Sequence, residues 1–139
     1  MDEYRVKRYR DKLNIILLRT EQIKNWTENI NNFMKDEKTK LAVYKAFQEI
    51  VESAMDIISM MCVDSKLAPK DDYSNIEEIS KRIDGINEEI LKEANGLRNV
   101  IIHRYNGLDD ARAYEGIKKI IPEMEKFVEI VEIWMKKKI

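Results

Sequence analysis

The chain has 139 residues and a formal net charge of −1, with 25 Lys plus Arg against 26 Asp plus Glu, so it has room for one hydrophobic core and lacks a bulk positive field to hold nucleic acid. Four Gly and two Pro, with 44% hydrophobic and 37% charged residues, leave little turn chemistry for a many-stranded sheet. The expectation is an all-α fold, a helical bundle of about five helices forming a single domain over 1–139.

From Asp2, a candidate N-cap, the spacing Leu13, Ile16, Leu17, Thr20, Ile23 predicts a first helix near 2–33. The second segment carries two apolar series: Leu41, Tyr44, Val51, Met55, Ile58, Cys62 and Val43, Phe47, Ile50, Ala54, Ile57, Met61. Together they cover more than half of the circumference, so this helix must be buried on two sides. After a loop around Pro69 to Tyr73, Ser74 and Glu77 have the spacing of a capping box, and Ile76, Ile79, Ile83, Ile86 and Ile90 continue at helical spacing. Gly85 marks a joint between this short third helix and a fourth over about 86–105, with Ala94, Leu97, Ile101 and Ile102 on its apolar side and Asn106-Gly107 as its stop. Asp109 or Asp110 can cap a fifth helix with the series Tyr114, Ile117, Ile121, Met124, Val128, Val131, Met135, and with Pro122 as a kink. The run Lys136 to Lys138 suits a helix C-terminus electrostatically and reads as a solvated end.

No apolar stretch is long enough to cross a bilayer, the first residues carry no apolar export segment, and the lone Cys62 sits among apolar neighbours; a cytoplasmic protein without membrane attachment is expected. One His and one Cys cannot assemble a zinc site, a paired Glu-x-x-His set is missing, and so are a Gly-rich phosphate loop and a nucleophile elbow, so no metal and no cofactor are expected. Glu52 and Asp56 lie one helical turn apart, as would be needed to share a cation, but on so charged a chain a solvated pair is the stronger reading; Asp71-Asp72 and Glu88-Glu89 read as loop and surface charge.

One stretch interrupts an apolar helix with polar groups: Leu97-Arg98-Asn99-Val100-Ile101-Ile102-His103-Arg104-Tyr105. At about 100° per residue, Asn99 and His103 share a face, Arg98 lies about 140° from His103, and Arg98 and Tyr105 stack two turns apart, so all four can border one groove between helices or subunits. An imidazole with an ordinary pKa near 6.5 moves protons at neutral pH, which in RNA means taking one from the 2′-hydroxyl or giving one to the leaving oxygen. A guanidinium at Arg98 can hold the scissile phosphate and stabilise its developing charge, with Asn99 and Tyr105 as supporting hydrogen-bond groups. The set is suited to metal-independent phosphoryl transfer that leaves a 2′,3′-cyclic phosphate.

Arg98, four intervening residues, His103, one residue, then Tyr105 resembles the signature of HepT-type toxins, a branch of the HEPN superfamily. The order of two long helices, a short third, the motif near the end of the fourth and a closing fifth begun at Leu108-Asp109 is similar to that family's up-and-down layout over most of the chain. The resemblance implies a homodimer whose two Arg–His pairs meet at a composite cleft, an RNA endonuclease activity that arrests growth, and a partner antitoxin, an MNT-type nucleotidyltransferase that adenylylates the motif tyrosine. It makes Arg98 and His103 the catalytic pair, Tyr105 the modification site, and Asn99 a weaker neighbour. Glu52 falls where the family often keeps a cleft-facing Glu, and Arg104 stands where many relatives have an acidic residue, with phosphate binding or a partner's carboxylate as its use. The alternative is a non-catalytic helical dimer that serves as binding partner or modification target of a nucleotidyltransferase, for which the broad apolar coverage of the second helix speaks; a third reading is a purely structural bundle with His103 in its core.

Overall fold

The computed structural model describes residues 1–103 and 107–139, and its described residues form six helices and no strand. Helix α1 spans Glu3–Trp26, α2 Ile30–Lys35, α3 Glu37–Asp64, α4 Asp72–Arg82, α5 Glu88–His103 and α6 Asp110–Lys138. Their buried apolar side chains form one continuous cluster. No described helix is long and apolar enough to cross a membrane.

The expected first helix over 2–33 is two helices. Asp2 caps α1 as anticipated, accepting from the Arg5 N–H, but α1 stops at Thr27, whose N–H and hydroxyl both donate to the Ile23 carbonyl. Asn29 then caps α2 by accepting from the Asn31 N–H, and Asp36 caps α3 by accepting from the Lys38 N–H. Three short polar side chains within ten residues offer the backbone partners that compete with helix continuation, and the chain takes them. The polar run Asn29 to Asn32 is thus the start of a helix, not the end of one.

Half of α3's 28 residues are buried, along both predicted series, and α1, α2, α4 and α5 all pack on it. Leu41, the fifth residue of the helix, is the exception and is exposed. The α1–α3 seam ends in a polar staple: the Tyr9 hydroxyl donates to Asp64 Oδ2 at 2.6 Å, and Arg5 donates to the same carboxylate at 2.9 Å. Burial, then Asp64, holds the Tyr9 phenol well above its ordinary pKa, so it remains a donor. Lys66, with φ 64°, and a bond from the Leu67 N–H to the Cys62 carbonyl at 2.8 Å close α3 in the way a glycine commonly does.

The expected Ser74–Glu77 capping box is not formed. Asp71 is the cap of α4, accepting from the Ser74 N–H, while Glu77 reaches across to Lys92 on α5 at 2.7 Å. The joint at Gly85 holds: its φ of 91° is one that glycine favours, and a Cβ there would stand 3.1 Å from Ile130 Cδ1. Helix α5 starts at Glu88, two residues later than expected, with the Asn87 side chain accepting from the Ile90 N–H. Asp109 caps α6, and α6 is one continuous helix through Pro122.

Candidate functional site

The site is built where α5 outruns its cover. Leu91 and Ile102 lie within about 20° of each other around the helix, three turns apart. Leu91 is buried against its neighbours, whereas Ile102 is 41% exposed. Asn95, between them on the same side, is still buried, and Arg98 sits at the boundary with a side chain 14% exposed. Beyond it the end of the helix is open over a wide arc: Val100, Ile102 and His103 are all exposed, while Asn99 is half-buried and Ile101 stays in the core.

Three helices converge on the Arg98 guanidinium. Nη2 donates to Asn95 Oδ1, one turn earlier on α5, at 2.7 Å, and stands 3.4 Å from Asp72 Oδ2 in the first turn of α4. Nη1 lies 3.6 Å from Glu52 Oε1 on α3, and Gln48 donates to that same oxygen at 2.9 Å. Nε is buried and has no acceptor among the described residues. His103, in contrast, ends α5 with no hydrogen bond or ion pair among the described residues, an imidazole presented to solvent.

The structure therefore brings Arg98 and Glu52 together, and among the described residues the side chains of His103 and Asn99 make no hydrogen bond or ion pair with either. Arg104 and Tyr105 lie outside the described residues. Glu52 and Asp56 do not form a shared cation site: Asp56 is 2.7 Å from Lys12 on α1, Glu52 faces α5, and no acidic or His/Cys cluster that could hold a metal is found among the described residues. Sequence reasoning missed Asp72 and Asn95. Asp72 was expected to be loop charge, and only the docking of α4 reveals its reach. Asn95 left a readable signal, a polar amide at the i−3 position from Arg98 within the apolar series Leu91, Ala94, Leu97.

A second polar cluster fixes the start of α6 against α3. Lys40 Nζ is 2.8 Å from Asp110 Oδ2, and the Tyr44 hydroxyl donates to Asp110 Oδ1. Burial alone would raise the Asp110 pKa, but the hydrogen bonds from Lys40 and Tyr44 with the Lys40 charge outweigh it and hold the carboxyl below its ordinary value. A carboxyl with a depressed folded-state pKa stabilises the fold above its unfolded pKa, and that contribution is lost as pH falls through the folded value. The Tm difference between wild type and Asp110→Asn should accordingly be full at pH 6 and shrink toward pH 3; a difference constant over that range would show that ionisation of Asp110 plays no part.

Set beside solved structures, the fold is similar over nearly its whole length to a tri-AMPylated Shewanella oneidensis HEPN toxin in complex with MNT antitoxin, with a TM-score of 0.84 at 18% identity, covering 96% of this chain and 99% of that one. A toxin–antitoxin with AMP-PNP matches with a TM-score of 0.83 at 17% identity, covering 91% of this chain and 98% of that one. A toxin–antitoxin MntA–HpeT mutant matches with a TM-score of 0.83 at 18% identity over the same shares. These likenesses carry the all-helical HEPN fold. No curated protein matches the sequence. A family model described as ribonuclease HepT-like matches residues 16–131, which take in α2, α3, α4 and α5, the second half of α1 and most of α6, and the chain belongs to that HepT-like ribonuclease family.

Proposed function

We propose that this protein is the toxin of a HepT/MntA-type toxin–antitoxin pair, a metal-independent RNA endonuclease that acts as a homodimer through Arg98 and His103. The observation that carries the reading is the placement of an anchored guanidinium and an exposed imidazole on the last turn and a half of α5, in a chain of ribonuclease family. In the proposed reaction the RNA 2′-oxygen bonds to phosphorus, the bond to the 5′-oxygen breaks, and the products are a 2′,3′-cyclic phosphate and a 5′-hydroxyl. His103 of one copy takes the 2′-hydroxyl proton, His103 of the other gives one to the leaving 5′-oxygen, and Arg98 stabilises the charge on the non-bridging oxygens.

Val100 and Ile102, each 41% exposed, flank His103, and this apolar rim supports pairing of two copies along the end of α5. The solved HEPN toxin is AMPylated and bound to an MNT antitoxin, and Tyr105, two residues past His103, is the hydroxyl we assign to the same chemistry here. Attack of its oxygen on the α-phosphate of ATP, with release of pyrophosphate, would set a phosphodiester anion beside Arg98 and His103 and so compete with RNA. Asn99 is a supporting polar group and Arg104 a phosphate contact in this scheme.

Cleavage of total cellular RNA by purified protein in EDTA, followed by end-group analysis, tests the reading. Cyclic-phosphate and 5′-hydroxyl ends are expected from wild type, and only at a strongly reduced residual rate from Arg98→Ala. If unmodified wild type cuts nothing while a nucleotidyltransferase partner adds AMP mass to Tyr105, the protein is a modification target without nuclease activity, and the proposal fails.

A further inference from the structure

We infer that Asn95 is a positioning residue for Arg98: its buried, neutral amide orients the guanidinium and leaves the charge available to an anion. The inference rests on the reading of Arg98 as the phosphate-binding residue. Of the three acceptors around the guanidinium, the Asn95 carbonyl is by far the best placed, at 2.7 Å against 3.4 Å for Asp72 and 3.6 Å for Glu52. It is also the one water does not reach. Asn95 is 1% exposed, whereas the side chains of Asp72 and Glu52 are 40% and 43% exposed, so solvent and salt screen both carboxylates.

The chemistry of the acceptor matters as much as its distance. An arginine that must bind a phosphate cannot have its fork occupied by a close, buried carboxylate, because the two anions would compete for the same N–H groups. An amide carbonyl accepts one N–H at full strength and carries no net charge. Because Asn95 and Arg98 are i and i+3 on one helix, their register is set by α5 itself and not by the docking of α4 or by a second copy. A buried amide in an otherwise apolar series, between Leu91 and Ala94 on one side and Leu97 on the other, is costly unless it is paired, and Arg98 is a partner that pairs it.

The experiment is steady-state, metal-free RNA cleavage by the full chain carrying Asn95→Leu, Arg98→Ala, both together, or Asn95→Asp, with circular dichroism and Tm on each. Asn95→Leu keeps the volume and removes the acceptor; kcat should fall roughly 10- to 100-fold with KM little changed, since a loosened guanidinium fails mainly in the transition state. In the Arg98→Ala background the same change should alter the residual rate less than about twofold, because there is no guanidinium left to orient. Asn95→Asp keeps the acceptor and adds a charge, and should raise KM about tenfold at low salt. Equal losses from Asn95→Leu in the two backgrounds, or wild-type kcat in Asn95→Leu beside an inactive Arg98→Ala, would overturn the inference while leaving the proposed nuclease standing. If Asn95→Leu does not fold, an unchanged KM in Asn95→Asp overturns it. Wild-type protein that cuts no RNA removes both.

Discussion

His103→Ala should lower the rate of RNA cleavage by roughly 10²- to 10⁴-fold while moving Tm by no more than a degree or two. The two halves of that expectation come from the same fact. His103 is exposed at the end of α5 and makes no hydrogen bond or ion pair among the described residues, so its removal costs the fold almost nothing. A structural histidine would behave the other way, since truncating a buried, paired imidazole lowers stability first. The exposed position thus already disfavours the purely structural bundle that the sequence left open, and the variant makes the point quantitatively. Arg98→Ala is expected to differ in kind. It removes the partner of Asn95 and leaves Asp72 and Glu52 facing each other without a cation, so a loss of activity there should come with a lower Tm. Arg98→Lys keeps the charge but not the fork, and should recover stability better than it recovers cleavage. Measured rates for His103→Ala within threefold of wild type, at unchanged stability, would remove His103 from the mechanism.

Much of this architecture can be read in the sequence because the strongest signals are periodic. The two apolar series of α3 required burial on two sides, and the structure supplies it by packing α1, α2, α4 and α5 on this helix. The joint at Gly85 and the cap at Asp109 were legible because glycine at positive φ and a short acceptor before a helix each have a local physical cause. What escaped was decided by competition or by distance. The end of α1 at Trp26 goes with the Thr27 hydroxyl bonding back to the Ile23 carbonyl and with Asn29 capping the next helix, and no periodicity reports such local side-chain bonds. Leu17, Leu41 and Ile102 fit their apolar series but are exposed, because a series records the potential to be covered and not where the covering helix stops.

The candidate site divides along the same line. The spacing of Arg98 and His103 is local, and a single helix delivers it. The carboxylates around Arg98 come from α3 and α4, 46 and 26 residues away in sequence, and one of them, Asp72, looks like any other loop carboxylate until α4 is docked. Glu52 could be placed near the cleft only through the family's pattern, and the structure sets its Oε1 3.6 Å from Arg98 Nη1, an approach that no local sequence signal reports. Asn95 is intermediate, local in sequence yet recognisable only once its burial is known.

Phe47→Ala should be the most destabilising single truncation among the aromatic residues of α3, at about 3–5 kcal/mol, enough to lower Tm by roughly 10 °C or more in a chain of this size. Phe47 is fully buried, in the N-terminal half of the helix on which α1, α2, α4 and α5 pack, so the cavity it leaves is walled by elements that cannot collapse inward without losing contacts elsewhere. Tyr44, one turn earlier, is nearly as buried, but its hydroxyl donates to the Asp110 carboxylate, and Tyr44→Phe, which keeps the ring, should cost less, about 1.5–3 kcal/mol. The pair of variants separates what packing contributes at the hub from what the polar clamp on α6 contributes. Because α3 also carries Glu52, a cavity at Phe47 is expected to disturb the site through the backbone that presents that carboxylate, one turn and a half further on. Denaturation by heat and by urea, read with cleavage at 20 °C, checks the chain of cause. A Phe47→Ala protein with wild-type Tm would mean that α3 is not the hub of the fold, while one that melts early yet cleaves at the wild-type rate would show the end of α5 to be insulated from the core beneath it.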